Sequence, residues 1–251
     1  MSGAAEANLE LGLAVNVDSM RNMLDTLRKI KRGIRVIFPS SLAVFGPAAA
    51  AAEEGGGSSH VVVSEETMPS PQSSYGAQKY ICEILLNDYT RRGLLDARIV
   101  RLPTIIVRPG RPSGAASSFC SGIVREPLNG ERSVLPVSRS LKLWVCSTRC
   151  VVRNLLVAGD IPAAMYGKGS RTINLPGIMV TVQDMLDALE KVGGHKALGL
   201  IDEVPDESVA RIVGSWPSSF NITKAKTLGF HDDGPLEQTI QDYVTDFSSN
   251  R

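Results

Sequence analysis

The sequence lacks the features that mark membrane-bound, secreted or nucleic-acid-binding proteins. Its longest apolar runs have the length of a β-strand and are too short to cross a bilayer. No basic stretch followed by an apolar segment opens the chain, so we predict no signal peptide. The formal net charge is +1, which gives no electrostatic attraction to nucleic acid or to an anionic membrane. We therefore expect a cytoplasmic protein that binds neither.

Residues that bind metals are also scarce. The four cysteines are irregularly spaced, and the three histidines are scattered. The cysteines are Cys82, Cys120, Cys146 and Cys150. Cys146 and Cys150 could share a helix face, but neither a histidine nor a second cysteine pair completes a ligand set. We expect buried free thiols and no metal site.

The first hundred residues alternate between helical and strand patterns. Residues 8–30 repeat apolar side chains every three or four positions, beginning at Leu9, and predict an amphipathic helix. Residues 34–38 form a β-branched, largely apolar run typical of a buried parallel strand, and residues 97–102 predict a second buried strand. The strand–helix–strand order predicts a parallel α/β sheet. Between the strands, residues 47–60 form a low-complexity segment that we expect to be a mobile surface loop.

A second helix is predicted between the two strands, over residues 75–92. Ser73 or Ser74 is its N-cap, and Ile81 belongs to its core-facing stripe. Tyr75 and Lys79 stand four positions apart and therefore share one helix face. A nearby ammonium favours the phenolate form of a tyrosine, so this pair can move protons to and from alcohols and carbonyls. The same spacing also occurs by chance on solvated helix faces.

Two further features lie where an α/β sheet binds its ligands, beyond the carboxyl ends of strands. Ser40 and Ser41 follow the first strand, and Pro103-Thr104 follows the second. With the Tyr75–Lys79 pair, this set resembles the extended short-chain dehydrogenase/reductase family, the epimerase and dehydratase group. Residues 101–110, 116–128 and 214–217 are similar to its D-erythronate dehydrogenase subgroup. The resemblance covers nearly the whole chain.

The resemblance implies a hydride transfer with NAD as cofactor and a small sugar acid as substrate. It implies catalytic roles for Ser41, Tyr75 and Lys79, with Tyr75 as the acid/base. It implies cofactor contacts from Asn16, Ser40, Tyr75, Lys79, Pro103, Thr104 and Ile105. Our candidates for the acid end of the substrate are Ser41, Ser117, Ser118, Arg125 and Arg149, because a carboxylate favours guanidinium and hydroxyl donors. Each of these side chains could equally be a structural hydrogen bonder.

The implied fold class is α/β, a partial Rossmann-like parallel sheet with a smaller mixed α/β substrate domain. Residues 1–110 correspond to the C-terminal part of the NAD-binding domain. Residues 111–251 are mainly the substrate-binding domain, with some segments returning to the sheet. The family's homodimer interface corresponds to helices 8–30 and 75–92, so a homodimer is expected.

One departure from the family pattern concerns the cofactor phosphates. The family begins with a strand, a glycine-rich turn and a helix that hold the pyrophosphate. The only glycine cluster, Gly55-Gly56-Gly57, precedes no helical pattern. We expect that the sequence starts inside the Rossmann domain and that its activity is impaired. Two alternatives stay open: a non-catalytic remnant or dimerising module, and a nucleotide-sugar epimerase or dehydratase.

A polypeptide of these 251 residues is expected to bind NAD weakly or not at all, because no glycine-rich turn is available for the pyrophosphate. Isothermal titration calorimetry with NAD measures this directly. A dissociation constant in the micromolar range would contradict the expectation.

Overall fold

The computed structural model describes residues 2–46, 62–167 and 169–248, in two compact units. The first unit comprises Met1–Pro103, Val152–Pro176 and Ser215–His231, and the second comprises Thr104–Val151, Gly177–Gly214 and Asp232–Arg251. The loop predicted at 47–60 lies outside the described residues, and the domain division at residue 110 stays a prediction.

Helices and strands alternate along the chain. The elements up to residue 106 are α1 (Ser2–Ala7), α2 (Leu9–Leu13), a π-helical turn (Ala14–Asp18), α3 (Ser19–Ile30), β1 (Ile34–Ser41), a 3-10 turn (Leu42–Val44), α4 (Ser74–Arg91), β2 (Leu95–Leu102) and β3 (Thr104–Ile106). Next come α5 (Ser118–Leu128), β4 (Ser133–Leu135), β5 (Lys142–Ser147), α6 (Thr148–Asp160), a 3-10 turn (Ala163–Tyr166), β6 (Thr172–Asn174) and β7 (Ile178–Thr181). The last are α7 (Val182–Leu198), β8 (Ile201–Glu203), α8 (Glu207–Gly214), α9 (Thr223–Thr227), α10 (Leu236–Tyr243) and a π-helical turn (Val244–Ser248).

The first unit contains a parallel sheet of strand order β1-β2-β6. Strand β1 pairs with β2 along its whole length, from Ile34 opposite Leu95 to Ser41 opposite Leu102. The carboxyl ends of both strands therefore lie side by side. Helix α4 is the crossover between them, which confirms the predicted strand–helix–strand arrangement and the α/β fold class.

Helices cover both faces of this sheet. Neighbouring residues of β2 point to opposite faces, so each packs against a different set of helices. Ile99 joins a buried cluster with Leu24 of α3 and Leu86 of α4. The adjacent Val100 joins a second cluster with Ala158 of α6 and Leu228 beyond α9. Apolar layers on both faces explain why the neighbouring residues Ile99 and Val100 are both apolar and buried.

Two details of the predicted helices are wrong. Leu9 is 56% exposed, and Ile81 is 39% exposed, so neither belongs to a buried stripe. Cys82 takes the predicted place of Ile81 in the core and is fully buried. Helix α1 was not predicted, and its Glu6 carboxylate accepts a hydrogen bond from the backbone N–H of Ser74, at 2.8 Å. A carboxylate at the start of α4 satisfies one N–H that has no partner within the helix.

The second unit contains two small sheets. In one, β5 lies between β3, which is parallel to it, and β7, which is antiparallel. In the other, β4 and β8 form a parallel pair. Helix α7 follows β7 directly and begins with a capping box, in which Thr181 and Asp184 exchange side-chain and backbone hydrogen bonds. Within the described ranges, no helix is long and apolar enough to span a membrane.

Helix α4 starts against the 3-10 turn that follows β1, and a glycine makes this approach feasible. A Cβ added at Gly76 would lie 2.1 Å from the backbone oxygen of Ala43 and 3.0 Å from the Pro71 side chain. Real Cβ atoms do not come this close to a carbonyl oxygen, so only glycine fits. This contact fixes the first turn of α4, which carries Tyr75, beside the turn that follows Ser41.

Replacing Gly76 by alanine is expected to lower the free energy of unfolding by about 1–3 kcal/mol, since the added methyl group forces the backbone apart. Urea denaturation followed by circular dichroism measures the change. Gly169→Ala is the control, because among the described residues no atom apart from its chain neighbours lies within 4 Å of its added Cβ. An unchanged urea midpoint for Gly76→Ala would show that α4 can shift without cost.

Candidate active site

Ser41 is the last residue of β1 and begins the turn on which α4 rests. Its Oγ accepts a hydrogen bond from the backbone N–H of Ala43, at 3.1 Å, and caps the 3-10 turn. Ser73 caps α4 in the same way, by accepting from the N–H of Gly76 at 3.1 Å. The two caps set the chain direction on either side of the Ala43–Gly76 contact. The structure thus brings Ser41 and Tyr75 to the same edge of the sheet.

Lys79 lies one helical turn beyond Tyr75 and is held by neutral groups. Its Nζ donates to the backbone oxygen of Pro39 at 2.8 Å. The same atom lies 4.5 Å from the centroid of the Phe38 ring and 5.6 Å from that of the Tyr75 ring. Burial lowers the pKa of Lys79, and the nearby Cys82 and Glu83 oppose this shift. An ammonium beside the Tyr75 ring is the arrangement that the sequence spacing predicted.

Ser40 belongs to a buried polar network that the sequence analysis did not identify. Its hydroxyl donates to Glu83 Oε1 at 2.5 Å. Glu83 also accepts three hydrogen bonds from Arg101: Nε donates to both carboxylate oxygens, and Nη2 donates to Oε2 at 2.7 Å, the shortest of the three. The Arg101 and Glu83 side chains are only 5% and 2% exposed. The network joins the ends of β1 and β2 to α4. The predicted contact of Ser40 with cofactor stays a prediction.

Arg101 also lies over an aromatic ring. Its guanidinium carbon is 4.7 Å from the centroid of the Phe45 ring, which packs edge-on against Phe220. A stacked ring stabilises a guanidinium that has lost most of its water.

Asn16 lies in the π-helical turn between α2 and α3, facing α4. Its Nδ2 donates to Gln78 Oε1 at 2.7 Å, and its backbone oxygen accepts from the Cys82 thiol at 3.2 Å. Burial raises the pKa of Cys82 to about 11, so the thiol remains a neutral donor. These bonds fix the turn against the residue that precedes Lys79. A role of Asn16 toward the cofactor stays a prediction.

The remaining predicted cofactor residues follow β2. Pro103 is buried and is the last residue of Met1–Pro103, the first segment of the first unit. Thr104 and Ile105 belong to β3 of the second unit, opposite Val145 and Cys146 of β5. The Ile105 backbone oxygen accepts from the Ser121 hydroxyl at 3.4 Å. The predicted contacts of the Pro103, Thr104 and Ile105 backbone with nicotinamide stay predictions.

The predicted substrate residues of the second unit differ in how far they are already engaged. Ser117 precedes α5 without capping it, and Ser118 Oγ accepts from the Ser113 N–H at 2.9 Å. Arg125 is buried; it donates to the backbone oxygen of Arg108 at 2.8 Å and to Glu126 at 2.5 Å. Arg149 forms ion pairs with Asp242 at 2.8 Å and Asp246 at 2.6 Å. Both arginines therefore have partners within their own unit.

Gly76, Gln78, Glu83 and Arg101 were missed as residues that build the site. Glu83 stands four positions after Lys79, so a carboxylate on the lysine's helix face was visible in the sequence. Its inward direction was not visible, because a glutamate at that spacing is normally solvated. Arg101 lies in an apolar strand, and its buried charge requires a partner of this kind.

A phenol, an ammonium and a hydroxyl at the carboxyl ends of adjacent parallel strands, with helices on both faces of the sheet, define a Rossmann-type α/β protein. The sequence profile of the NAD-dependent epimerase/dehydratase family matches residues 3–168. The chain belongs to that family, which confirms the resemblance to extended short-chain dehydrogenases/reductases.

Relatives of known name match over nearly all of the chain. A D-erythronate dehydrogenase from Cupriavidus necator is 42% identical over 246 residues, covering 98% of this chain and 72% of the relative. One from Haemophilus influenzae is 44% identical over 244 residues, covering 97% and 74%. These relatives place the chain among the NAD-dependent oxidoreductases.

Solved structures agree on the fold. A structure described as a nucleoside-diphosphate-sugar epimerase from Agrobacterium tumefaciens matches with a TM-score of 0.87 and 38% identity, covering 100% of this chain and 71% of its own. L-threonine 3-dehydrogenase from Trypanosoma brucei matches with a TM-score of 0.83 at 23% identity, covering 98% of this chain and 72% of its own. At that identity the second match bears on the fold alone.

NAD is the cofactor that the family implies, and the donors present fit its nicotinamide ribose. An ammonium carries three N–H donors, and Pro39 accepts one of those of Lys79. The group can also donate to ribose hydroxyls at the edge where β1 and β2 end. Lys79 and Tyr75 are therefore the described residues whose chemistry suits that part of the cofactor.

Breaking the Glu83–Arg101 pair is expected to destabilise the first unit. Glu83→Ala leaves a buried guanidinium without its carboxylate, which costs about 3–5 kcal/mol, and Arg101→Ala has a similar cost. The double variant should lose clearly less than the sum of the two. Chemical denaturation of the four proteins measures this coupling, with the exposed Glu131→Ala as the control. Additive losses would show that the two side chains act independently.

Proposed function

We propose that this chain carries the active site of a dehydrogenase that oxidises the secondary hydroxyl of D-erythronate or a related sugar acid with NAD. The observation that carries the proposal is the Lys79 ammonium, held by the Pro39 carbonyl 5.6 Å from the Tyr75 ring centroid. The names of the relatives that are 42% and 44% identical support this substrate class.

In the oxidation direction, bound NAD supplies the acceptor for the carbinol hydride. The Tyr75 phenolate takes the proton of the substrate hydroxyl. Lys79 stabilises that phenolate through its positive charge. The Ser41 hydroxyl, at the end of β1, donates a hydrogen bond to the reacting oxygen and holds it beside the phenol. Its Oγ can do so while still accepting from Ala43, because a hydroxyl has one donor and two acceptor positions.

The four candidates in the second unit for binding the substrate carboxylate can be ranked. Ser117 and Ser118 come before Arg125 and Arg149, because the hydroxyl donors of the serines are not committed to an ion pair. A substrate carboxylate would have to displace Asp242 and Asp246 from Arg149, or Glu126 from the buried Arg125. Such an exchange is unfavourable unless the ligand restores equally short, charged hydrogen bonds.

A nucleotide-sugar epimerase is the second enzymatic candidate, since the Agrobacterium tumefaciens structure that is 38% identical bears that description. Both reactions use the same proton-transfer pair. They differ in the fate of the cofactor: a dehydrogenase accumulates NADH, whereas an epimerase returns the hydride to its substrate and shows no net reduction. Assays with D-erythronate and with a uridine-diphosphate sugar distinguish the two.

The homodimer through helices 8–30 and 75–92 also remains a proposal. Its support is a set of exposed apolar side chains on α3 and α4. These are Met23 (42%), Ile30 (71%), Ile81 (39%) and Ile84 (53%). Exposed apolar side chains that lie together favour burial against a second protein surface, whereas exposed polar side chains do not. Light scattering of the chain and of an Ile84→Lys variant tests whether these residues hold two copies together.

Replacing Tyr75 by phenylalanine is expected to reduce NAD-dependent oxidation of D-erythronate by about 10²–10⁴-fold, because the proton acceptor is lost. Production of NADH at NAD concentrations above its dissociation constant is the measurement. Tyr80→Phe is the matched control, since Tyr80 lies on α4 outside the proposed site, and it should keep full activity.

Lys79→Met should lose activity to a similar extent, with a fold preserved in circular dichroism. The proposal would be overturned if the parent chain produced NADH from D-erythronate and Tyr75→Phe produced it at the same rate. It would also fail if the parent chain turned over a uridine-diphosphate sugar but no sugar acid.

A further inference from the structure

Two cysteines and an aspartate meet where β5 passes into α6, in the second unit. Cys146 is the next-to-last residue of β5, and Cys150 is the third residue of α6. Asp233 comes from the segment before α10, far along the chain. The two Sγ atoms and a carboxylate oxygen of Asp233 all lie within 4.8 Å of one another. The proposed dehydrogenase mechanism uses none of these three side chains.

The three side chains are largely shielded from solvent, unlike a cluster of carboxylates on the surface. Cys146 is fully buried, Cys150 is 6% exposed, and neither is in a disulfide. Asp233 is only partly exposed. Soft sulfur ligands and one harder oxygen, enclosed together, are a donor set that suits zinc.

Asp233 is fixed in place by bonds that leave it able to bind a cation. Its two oxygens accept from the backbone N–H of Ser147 and, at 2.8 Å, from the Ser147 hydroxyl. Oδ1 also accepts from the Gly234 N–H at 2.9 Å. An ionised carboxylate has about four lone-pair positions, so one remains for a metal. Ligating carboxylates are commonly oriented by such hydrogen bonds.

We propose that Cys146, Cys150 and Asp233 bind one Zn²⁺ ion. Zinc binds sulfur at about 2.3 Å and carboxylate oxygen at about 2.0–2.2 Å, so tetrahedral ligand atoms stand roughly 3.4–3.8 Å apart. The three ligand atoms already lie within 4.8 Å of one another, so binding would bring them closer by at most about 1–1.4 Å. Three protein ligands leave the fourth position to water.

The bound ion would act as a clamp. It would join the end of β5 and the first turn of α6 to the segment that leads into α10. A metal that binds only the folded chain stabilises that state by mass action. The inference does not depend on the proposed dehydrogenase activity.

Titration with Co²⁺, in the presence of a phosphine reductant, tests the site. Cobalt occupies zinc sites and absorbs strongly in the near ultraviolet when thiolates bind it. We expect one Co²⁺ per chain with this absorption, and its displacement by Zn²⁺. Cys146→Ala and Cys150→Ala should each abolish the absorption, whereas Cys120→Ala should keep it, because Cys120 is equally buried but lies outside the cluster.

Asp233→Asn provides a second measurement that does not alter the buried thiols. The amide keeps one acceptor oxygen for the Ser147 hydroxyl and the Gly234 N–H, and circular dichroism and thermal melting of the metal-free variant check that the fold is kept. The affinity for Co²⁺ should fall by at least tenfold. The proposal is overturned if the parent chain shows no thiolate–cobalt absorption. It is equally overturned if Asp233→Asn binds Co²⁺ as tightly as the parent. Loss of the thiolate–cobalt absorption in the reduced Cys120→Ala variant would also overturn it.

Discussion

The buried ion pair between Glu83 and Arg101 is the interaction on which the arrangement of the candidate site depends. It connects β2 to α4, and through the Ser40 hydroxyl it also connects β1. The catalytic candidates lie on the same elements, with Ser41 next to Ser40 and Lys79 one turn before Glu83. A desolvated pair of this kind is expensive to break and contributes directional, charged hydrogen bonds. It therefore holds the ends of β1 and β2 against α4, the elements that carry Ser41 and Lys79.

A second constraint acts in the first turn of α4, about two turns before Glu83. The Gly76–Ala43 approach leaves no room for a side chain, so α4 can neither slide toward β1 nor lean away without opening a gap. The ion pair determines how α4 is oriented, and the glycine contact determines how near it comes. Together they place Tyr75 and Lys79 at the strand ends with little freedom.

The local features of this fold were predictable from the sequence, because they depend on neighbouring residues. The strand at 34–38, the helix near 75–92 and its Ser73 cap follow from apolar runs, periodicity and capping chemistry. The Tyr75–Lys79 pair follows from helix geometry alone. Exposed Leu9 and Ile81 show the limit of the same reasoning, since periodicity locates an apolar stripe only to within a residue.

The long-range contacts could not be predicted in this way. The Ser40–Glu83 and Asn16–Gln78 bonds join positions separated by 43 and 62 residues, and Ser147 meets Asp233 across 86. No local pattern encodes which polar side chain turns inward to meet another. The cysteine pair illustrates the point: its spacing was visible, but the carboxylate that completes the cluster comes from a distant segment. The sequence predicted thiols without a metal, and the proposed Zn²⁺ site differs from that prediction because Asp233 adds a third ligand.

The groups that hold Lys79 have a consequence for the charge at the site. A lysine anchored by a carboxylate forms a pair whose net charge is close to zero and whose field falls off quickly. Lys79 is anchored by the Pro39 carbonyl and the Phe38 ring, which carry no net charge. These two anchors do not neutralise the ammonium, and Glu83, which also acts on it, is itself paired with Arg101. The ammonium can therefore stabilise an anion formed at the Tyr75 oxygen. Because the backbone supplies one of the two anchors, side-chain substitutions around the site can alter its shape while that hydrogen bond stays in place.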